Sequence, residues 1–485
     1  MSQSPASSTE ASTSGLRAGV LGAADTAMMA VAGSAPAYSI AASTATLVAV
    51  AGLASPAALL YCGIPMLGIA WAFNHLGRKE VNAGASYAWV GRALHPALGF
   101  LSGWALIVSA TIFMVAGSLP AGSLTLALFN PALASNTALV TLVGAAWFAV
   151  MVTVVLLGAH ITARAQWVMS SIEVAILLVF VVVGFVRAPH IAVHTFSLSW
   201  LGFGHFTGFS GFAASALVAA FYYWGWDVAA NLNEETRSAR RSAGLGGIVG
   251  VLIVFALFMG FTVLVNLLLT SDAVSGNSGN LLFVLGQAIW PGIGGKILSI
   301  AAMLSTVATL ETTLIQVTRT MFAMGRDRTL AGAFGRTHRK WRTPWLATIV
   351  VGGVSVLLFV LSNLLGSVGT IMTDAISAIG LQIAFYYGLA GVAVVISYRK
   401  EIFSSVRNAL LIGLWPLVGA VFLFWVFGES IRSNSAAVNG IGLGALAVGI
   451  IPLTIAWRRR SPYFQRSRAV ADLGAADAAL AVDGG

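Results

Sequence analysis

The chain has 485 residues, 58% hydrophobic and only 9% charged, with a formal net charge of +10 and a mean hydropathy of +0.89. A soluble protein of this size needs more charge to cover its surface. The apolar residues also fall in blocks of about 20, the length of helix that crosses roughly 30 Å of hydrocarbon, so the composition predicts an all-α polytopic membrane protein with about 12 transmembrane helices.

In chain order, residues 1–16 are rich in Ser, Ala and Thr and lack the basic stretch of a cleaved signal, so they read as a disordered cytoplasmic tail. A transmembrane domain over 17–457 follows, with spans expected at 18–49, 55–73, 97–128, 137–158, 162–187 and 211–235. Further spans are expected at 244–270, 295–325, 345–364, 367–397, 409–429 and 438–457, before a polar tail at 458–485. The segment 74–96 is too polar to span, and Tyr87 and Trp89 suggest an amphipathic piece lying at the inner interface. The connections 188–210 and 271–294 are placed to cap an outer vestibule.

The basic pI does not signal nucleic acid. With the N-terminus inside, 23 of the 26 Lys and Arg fall on inner loops, and only Arg187, Lys296 and Arg432 fall outside. This is the positive-inside bias, and it predicts cytoplasmic termini in the inner membrane. Cys62 is the one cysteine, which rules out an internal disulfide.

Two spans are interrupted. The first carries Gly33 and Pro36 in "AGSAPAYS", the sixth carries Gly225 in "FYYWGWDVAANLNEETR", and Gly and Pro inside a helix cost about 1 and 3 kcal/mol against Ala. The two spans run in opposite directions, five apart, as an inverted repeat would place them: repeat one over about 18–187, repeat two over about 211–397, helices eleven and twelve outside.

The motifs "GSAPAYS", "NAGASYAWVG", "GFLSGW", "WGWDVAANLNEET" and "TRTMFAMGRDRTL" occur in order across spans one to eight. By them the chain resembles the amino acid–polyamine–organocation permeases. That resemblance implies a leucine-transporter-like 5+5 inverted repeat with broken helices 1 and 6, and a small-molecule substrate. Many relatives read Gly-Ser-Gly where this chain has Gly33-Ser34-Ala35-Pro36.

Unwound backbone inside a membrane must line a cavity or be packed in protein. A substrate carboxylate would meet amides at Gly33, Ser34 and Ala35, beside Pro36, and an ammonium would meet carbonyls near Val31, Phe221 and Trp224. The resemblance makes Phe221 a gate over the substrate and Trp224 a pocket wall. Gly225 allows close approach or positive φ. Thr111 faces the pocket in one register of span three. Asp227 is a proton carrier or an anchor for the broken helix. Glu173 in span five, where proton-coupled relatives often carry lysine, could hold a proton, an inorganic cation or a substrate amine, and Glu311 in span eight is a third central acid. Asp25 and Asp374 lie nearer span ends, as solvated or helix-capping groups, and Arg319 belongs at the inner boundary. Ser305, Thr306 and Thr309 offer hydroxyls to a sodium ion, which ranks behind H+ as coupling ion.

No cofactor or metal is expected: His190, His194 and His205 sit in or beside an outer loop. "GIGGKI" lacks the spacing and hydroxyl of an ATP-binding loop, and no nucleophile–His–acid set points to an enzyme. The expected function is secondary active import of amino acids or related amines by alternating access, proton-coupled, with exchange or a passive facilitator as alternatives. Lipid is the expected surroundings, and neither nucleic acid nor ATP a partner.

Overall fold

The computed structural model describes residues 15–277, 279–362 and 368–465; most of the two expected tails, 1–14 and 466–485, lies outside the described residues. Among them the chain is helical, with one isolated bridge between Leu21 and Thr236. The first span is α1 (Ala23–Ser34) and α2 (Pro36–Ala51), followed by α3 (Ser55–Lys79), a short α4 (Ser86–Ala93), α5 (Pro96–Phe129), α6 (Thr137–Leu157) and α7 (Ala159–Ile191). The sixth span is α8 (Gly208–Tyr222) and a one-turn α9 (Val228–Asn231). Then come α10 (Ala239–Leu268), α11 (Ser271–Gly276), α12 (Leu281–Ile289), α13 (Gly294–Arg326), α14 (Trp345–Ser362) and α15 (Val368–Ser397). Two last spans, α16 (Val406–Ser433) and α17 (Ala436–Arg458), close the bundle.

Local chemistry sets several ends. Asn136 caps α6 by accepting from the Leu139 amide at 3.1 Å, and Ser435 caps α17 through Val438 at 3.2 Å. His95 precedes Pro96 at the first position of α5, where a missing N–H is harmless. Gly158 (φ 120) separates α6 from α7.

Ten stretches among the described residues are long and apolar enough to cross a membrane. The difference from twelve lies at the interruptions. Ala23–Lys79 forms one 57-residue stretch that holds α1, α2 and α3, and α8, at 15 residues, is too short on its own.

Burial sorts the helices into an interior and a rim. In α13, 78% of the most apolar stretch is buried, against 17% in α17. α13 packs on α5 and α7, α10 on α3 and α1, and α15 on α5, α3 and α16. Leu142, Val168, Val182, Val186, Leu357 and Val421 point outward and exposed from the rim helices. An apolar girdle of this extent needs hydrocarbon around it, so this is a multi-pass membrane protein.

One expectation fails here. Segment α4 does not lie along an interface: Tyr87 is 0% and Trp89 2% exposed. It packs inward on α5 and α15, because the Trp89 indole donates to the Glu80 carbonyl at 3.0 Å and the Tyr87 hydroxyl reaches Thr329 at 3.1 Å. The aromatics that suggested an interfacial belt bury their polar tips in protein instead.

Candidate functional site

The first break is made by Ala35. It adopts φ 47, ψ 64, a left-handed conformation, and ends α1 as its amide donates to the carbonyls of Val31 and Ala32, both at 3.2 Å. A non-glycine residue there carries about 1–2 kcal/mol of strain. Pro36 then opens α2. The first-turn amides of α2 have partners from elsewhere: Ala37 donates to Glu173 Oε1 at 2.9 Å and Tyr38 to Ser305 Oγ at 3.1 Å. Glu173, from α7, thereby supplies an acceptor oxygen at the start of α2, where a helix N-terminus favours one.

The second break is made by Gly225, at φ 95. The two breaks meet. A Cβ on Gly33 would collide with the Gly225 carbonyl, and a Cβ on Gly225 with the carbonyl of Gly33. Only glycine lets these backbones touch. Thr309 of α13 donates to Gly33 O at 3.1 Å, so Ser305 and Thr309 both reach the first break, whereas Thr306 bonds back to Ala302 at 2.7 Å.

Aromatic rings surround the contact. Tyr38 meets Phe113 (5.9 Å between centroids) and Phe221 (6.5 Å), and Phe113 meets Trp224 at 5.3 Å. Phe221 also lines a cavity of about 240 Å³ together with Ser43 and Thr46 of α2, Leu217 of α8, Gly380 of α15 and Asn434. This cavity lies at the face opposite the one where Lys79, Arg92 and Arg326 cluster. Thr111 makes no comparable contact: its hydroxyl bonds to Ile107 O at 2.7 Å, one turn back in its own helix.

Asp227 is held on both oxygens. Tyr386 donates to Oδ2 at 3.0 Å and Tyr387 to Oδ1 at 2.8 Å, while the Trp224 indole donates to the Tyr386 hydroxyl at 2.8 Å. These bonds join the second break to α15, the arrangement that an anchor requires.

The other two acids meet one face of α7, Glu173 standing on it and Glu311 reaching it from α13. Gln166 donates to Glu311 Oε2 at 2.6 Å and to Ala308 O at 2.8 Å, and Ser170 donates to Gln166 Oε1 at 3.3 Å. Glu173 follows one turn later, so Glu311, Gln166, Ser170 and Glu173 form a polar line inside the bundle. Glu311 Oε1 and Glu173 Oε2 have no hydrogen bond of ordinary geometry, though the hydroxyls of Thr162 and Ser305 act on the two carboxylates. Sequence reading missed Phe113 and Gln166. Gln166 had a signal: with Ser170 and Glu173 it repeats every three or four residues in an apolar span.

The basic face is shut beneath the breaks. Val20 and Leu21 donate to Glu235 O at 2.9 and 3.1 Å, and the Arg237 amide donates back to Leu21 O at 2.8 Å. The two broken spans are zipped together there. Arg319 forks onto Glu235 at 2.9 and 3.2 Å, both side chains fully buried, and Arg326 forks onto Glu234 at 3.0 and 2.9 Å. Arg319 is therefore the buried ion-pair partner of Glu235. Tyr463, past the last span, stacks on Tyr87 (4.7 Å, 11°) and donates to its carbonyl at 2.9 Å, filling a notch left by Gly91 and Gly99. Near the other end of α1, Asp25 accepts from the Gly22 amide at 2.7 Å and the Trp167 indole at 2.8 Å, the expected capping role.

A family model described as amino acid permease matches residues 21–446, from the start of α1 into α17. The low-affinity putrescine importer PlaP of Escherichia coli is 24% identical over 431 residues, 84% of this chain and 88% of that protein. The branched-chain amino acid permease BcaP of Bacillus subtilis is 27% identical over 203 residues, 42% of each chain. The serine/threonine exchanger SteT of the same organism is 24% identical over 246 residues, 49% of this chain and 54% of that one. With a match over nearly its whole length that takes in both broken helices, the chain belongs to the amino acid permease family of membrane transporters.

Proposed function

We propose that this transporter imports a small amine, or an amino acid, across the cytoplasmic membrane by alternating access, with uptake coupled to protons. The positive-inside bias makes the basic face cytoplasmic and puts both termini there. The cavity above Phe221 is then the outer approach, Phe221 its gate, and the zipped face below the closed inner exit. Substrate sits against the paired breaks, among Val31, Gly33, Ser34, Ala35, Pro36, Trp224 and Gly225.

One observation carries the preference for an amine. Around the first break the amide donors are spent: Ala35, Ala37, Tyr38 and Ser39 all donate within the protein. An amide has one proton to give, whereas a carbonyl oxygen has two lone pairs. The carbonyls of Val31, Gly33 and Phe221 each accept one bond and keep capacity for a second. Spare acceptor capacity beside spent donors at the first break suits an ammonium better than a carboxylate. The three central acids act in the same direction, since the buried Arg319 is matched by Glu235. A putrescine importer among the relatives agrees with this chemistry.

Glu173 is the proposed proton carrier and Glu311 its partner along the Gln166–Ser170 line, with Asp227 as anchor. Sodium, through Ser305 and Thr309, is the less favoured coupling ion.

The test is uptake of labelled putrescine and a panel of amino acids into proteoliposomes. Saturable uptake that collapses with a protonophore and is competed best by diamines is expected. Competition by α-amino acids alone would defeat the amine assignment. Uptake that persists without a gradient but requires internal substrate would make the protein an exchanger, as a serine/threonine exchanger among the relatives allows. Flux without saturation or counterflow would indicate a passive facilitator.

A further inference from the structure

Away from the substrate path, a second cavity of about 510 Å³ opens where the basic face meets the edge of the bundle, between the ends of α3 and α15 and the inward-packed α4. Its wall has two characters. The exposed Ile396, with Leu76 packed behind it, makes an apolar side at the ends of two spanning helices. Around them Lys79, Arg92, Arg399 and Lys400 contribute four cations against two carboxylates, Glu80 and Glu401.

The charges are unevenly matched. Glu80 is paired with Arg92 at 3.0 Å, and burial pushes its carboxyl up against the pull of that guanidinium. The Lys79 ammonium lies 4.7 Å over the Tyr398 ring and donates to the Ser397 carbonyl at the end of α15. It is held at the cavity by neutral groups. Among the described residues the ion pairs are those of Arg92, Arg319, Arg326 and Arg432, so Lys79 and the exposed Arg399 and Lys400 form none, and the four cations outnumber Glu80 and Glu401. Cations gathered at a membrane interface beside an apolar wall are the chemistry that holds an anionic headgroup.

We propose that this cavity binds the phosphate headgroup of an anionic phospholipid, with its acyl chains running into the membrane beside Ile396. A free phosphate shares the headgroup's charge and acceptors, but it has no use for the apolar side or for a place at the ends of two spanning helices. The site adjoins the closed exit. Trp89, which lines it, bonds to the Glu80 carbonyl at 3.0 Å, and Ala83 nearby holds Asn231 and Glu234 of the second broken span.

The test uses the full-length protein purified in detergent, read by native mass spectrometry and by thermal unfolding with added phosphatidylglycerol, phosphatidylcholine or inorganic phosphate. Phosphatidylglycerol is expected to be retained and to stabilise, with phosphatidylcholine doing neither. Each exposed cation removed should weaken phosphatidylglycerol about fivefold, so Arg399→Gln with Lys400→Gln should weaken it roughly 25-fold while leaving phosphatidylcholine unchanged. On the unaltered protein, the preference should vanish at about 0.5 M salt, a readout that stands even where the double variant does not fold. Equal retention of the two lipids, or a preference that survives salt, would overturn the proposal. Stabilisation by inorganic phosphate equal to that by the lipid would make this a free-anion site and reject the lipid. Since no outcome depends on transport, failure here leaves the amine reading standing.

Discussion

Replacing Gly33 by alanine tests the contact on which the proposed substrate site rests. The added methyl would run into the backbone carbonyl of Gly225 and meet Val228 Cγ1 behind it. Backbone on both sides offers no flexible end to swing aside, so the two chains must part by about an ångström to regain normal separation. Overpacking of this kind costs about 1–3 kcal/mol. The upper end applies here, because Ala35 and Gly225 beside the contact already hold left-handed angles of φ 47 and φ 95. Gly353→Ala serves as control: it lies within α14 with nothing within 4 Å of its would-be Cβ, and an open helical glycine gains about 1 kcal/mol on becoming alanine. Thermal unfolding of the purified proteins, with and without putrescine, reads both effects. Gly33→Ala should unfold several degrees lower and lose stabilisation by substrate, while Gly353→Ala should hold or gain. A Gly33→Ala protein with unchanged melting and substrate response would refute the claim that the broken helices meet at this point.

Glu173→Gln keeps an oxygen to accept from Ala37 but loses the charge at the α2 terminus, so it should fold and transport without proton dependence, measured as uptake against external pH. Asp227→Asn should instead lower the melting temperature and keep proton dependence. Its new NH₂ would face Tyr386, whose hydroxyl already accepts from Trp224, which leaves one donor unmatched at about 1–3 kcal/mol. Arg319→Ala would strand Glu235 as a buried charge; a loss of about 3–5 kcal/mol should show as poor yield or early unfolding, partly recovered by adding Glu235→Gln. Tyr463→Ala empties the notch beside Gly91 and Gly99, removing about 2 kcal/mol of burial. Thiol labelling from the basic face, at a cysteine placed near Asn231 in a Cys62→Ser background, should then quicken, and Tyr463→Phe should have a smaller effect.

Membrane character, helix type and the positions of most spans were legible in the sequence, because each follows from local properties: runs of apolar residues long enough to cross a bilayer, and Gly and Pro where a helix cannot continue. The breaks at Gly33–Pro36 and Gly225 were read the same way, since strain and missing donors are written into single residues. What no local property encodes is which groups meet across the bundle. That Gly33 touches Gly225, that Glu173 caps α2, that Asp227 is spent on two phenols while Thr111 turns back to its own helix, and that α4 packs inward all depend on partners more than a hundred residues away or on helix rotation. The sequence by itself determined where the chain breaks and which residue types stand near the breaks. The tertiary structure alone decided which donors and acceptors near the breaks are already used, because a hydrogen bond belongs to a pair of groups and only packing selects the pair.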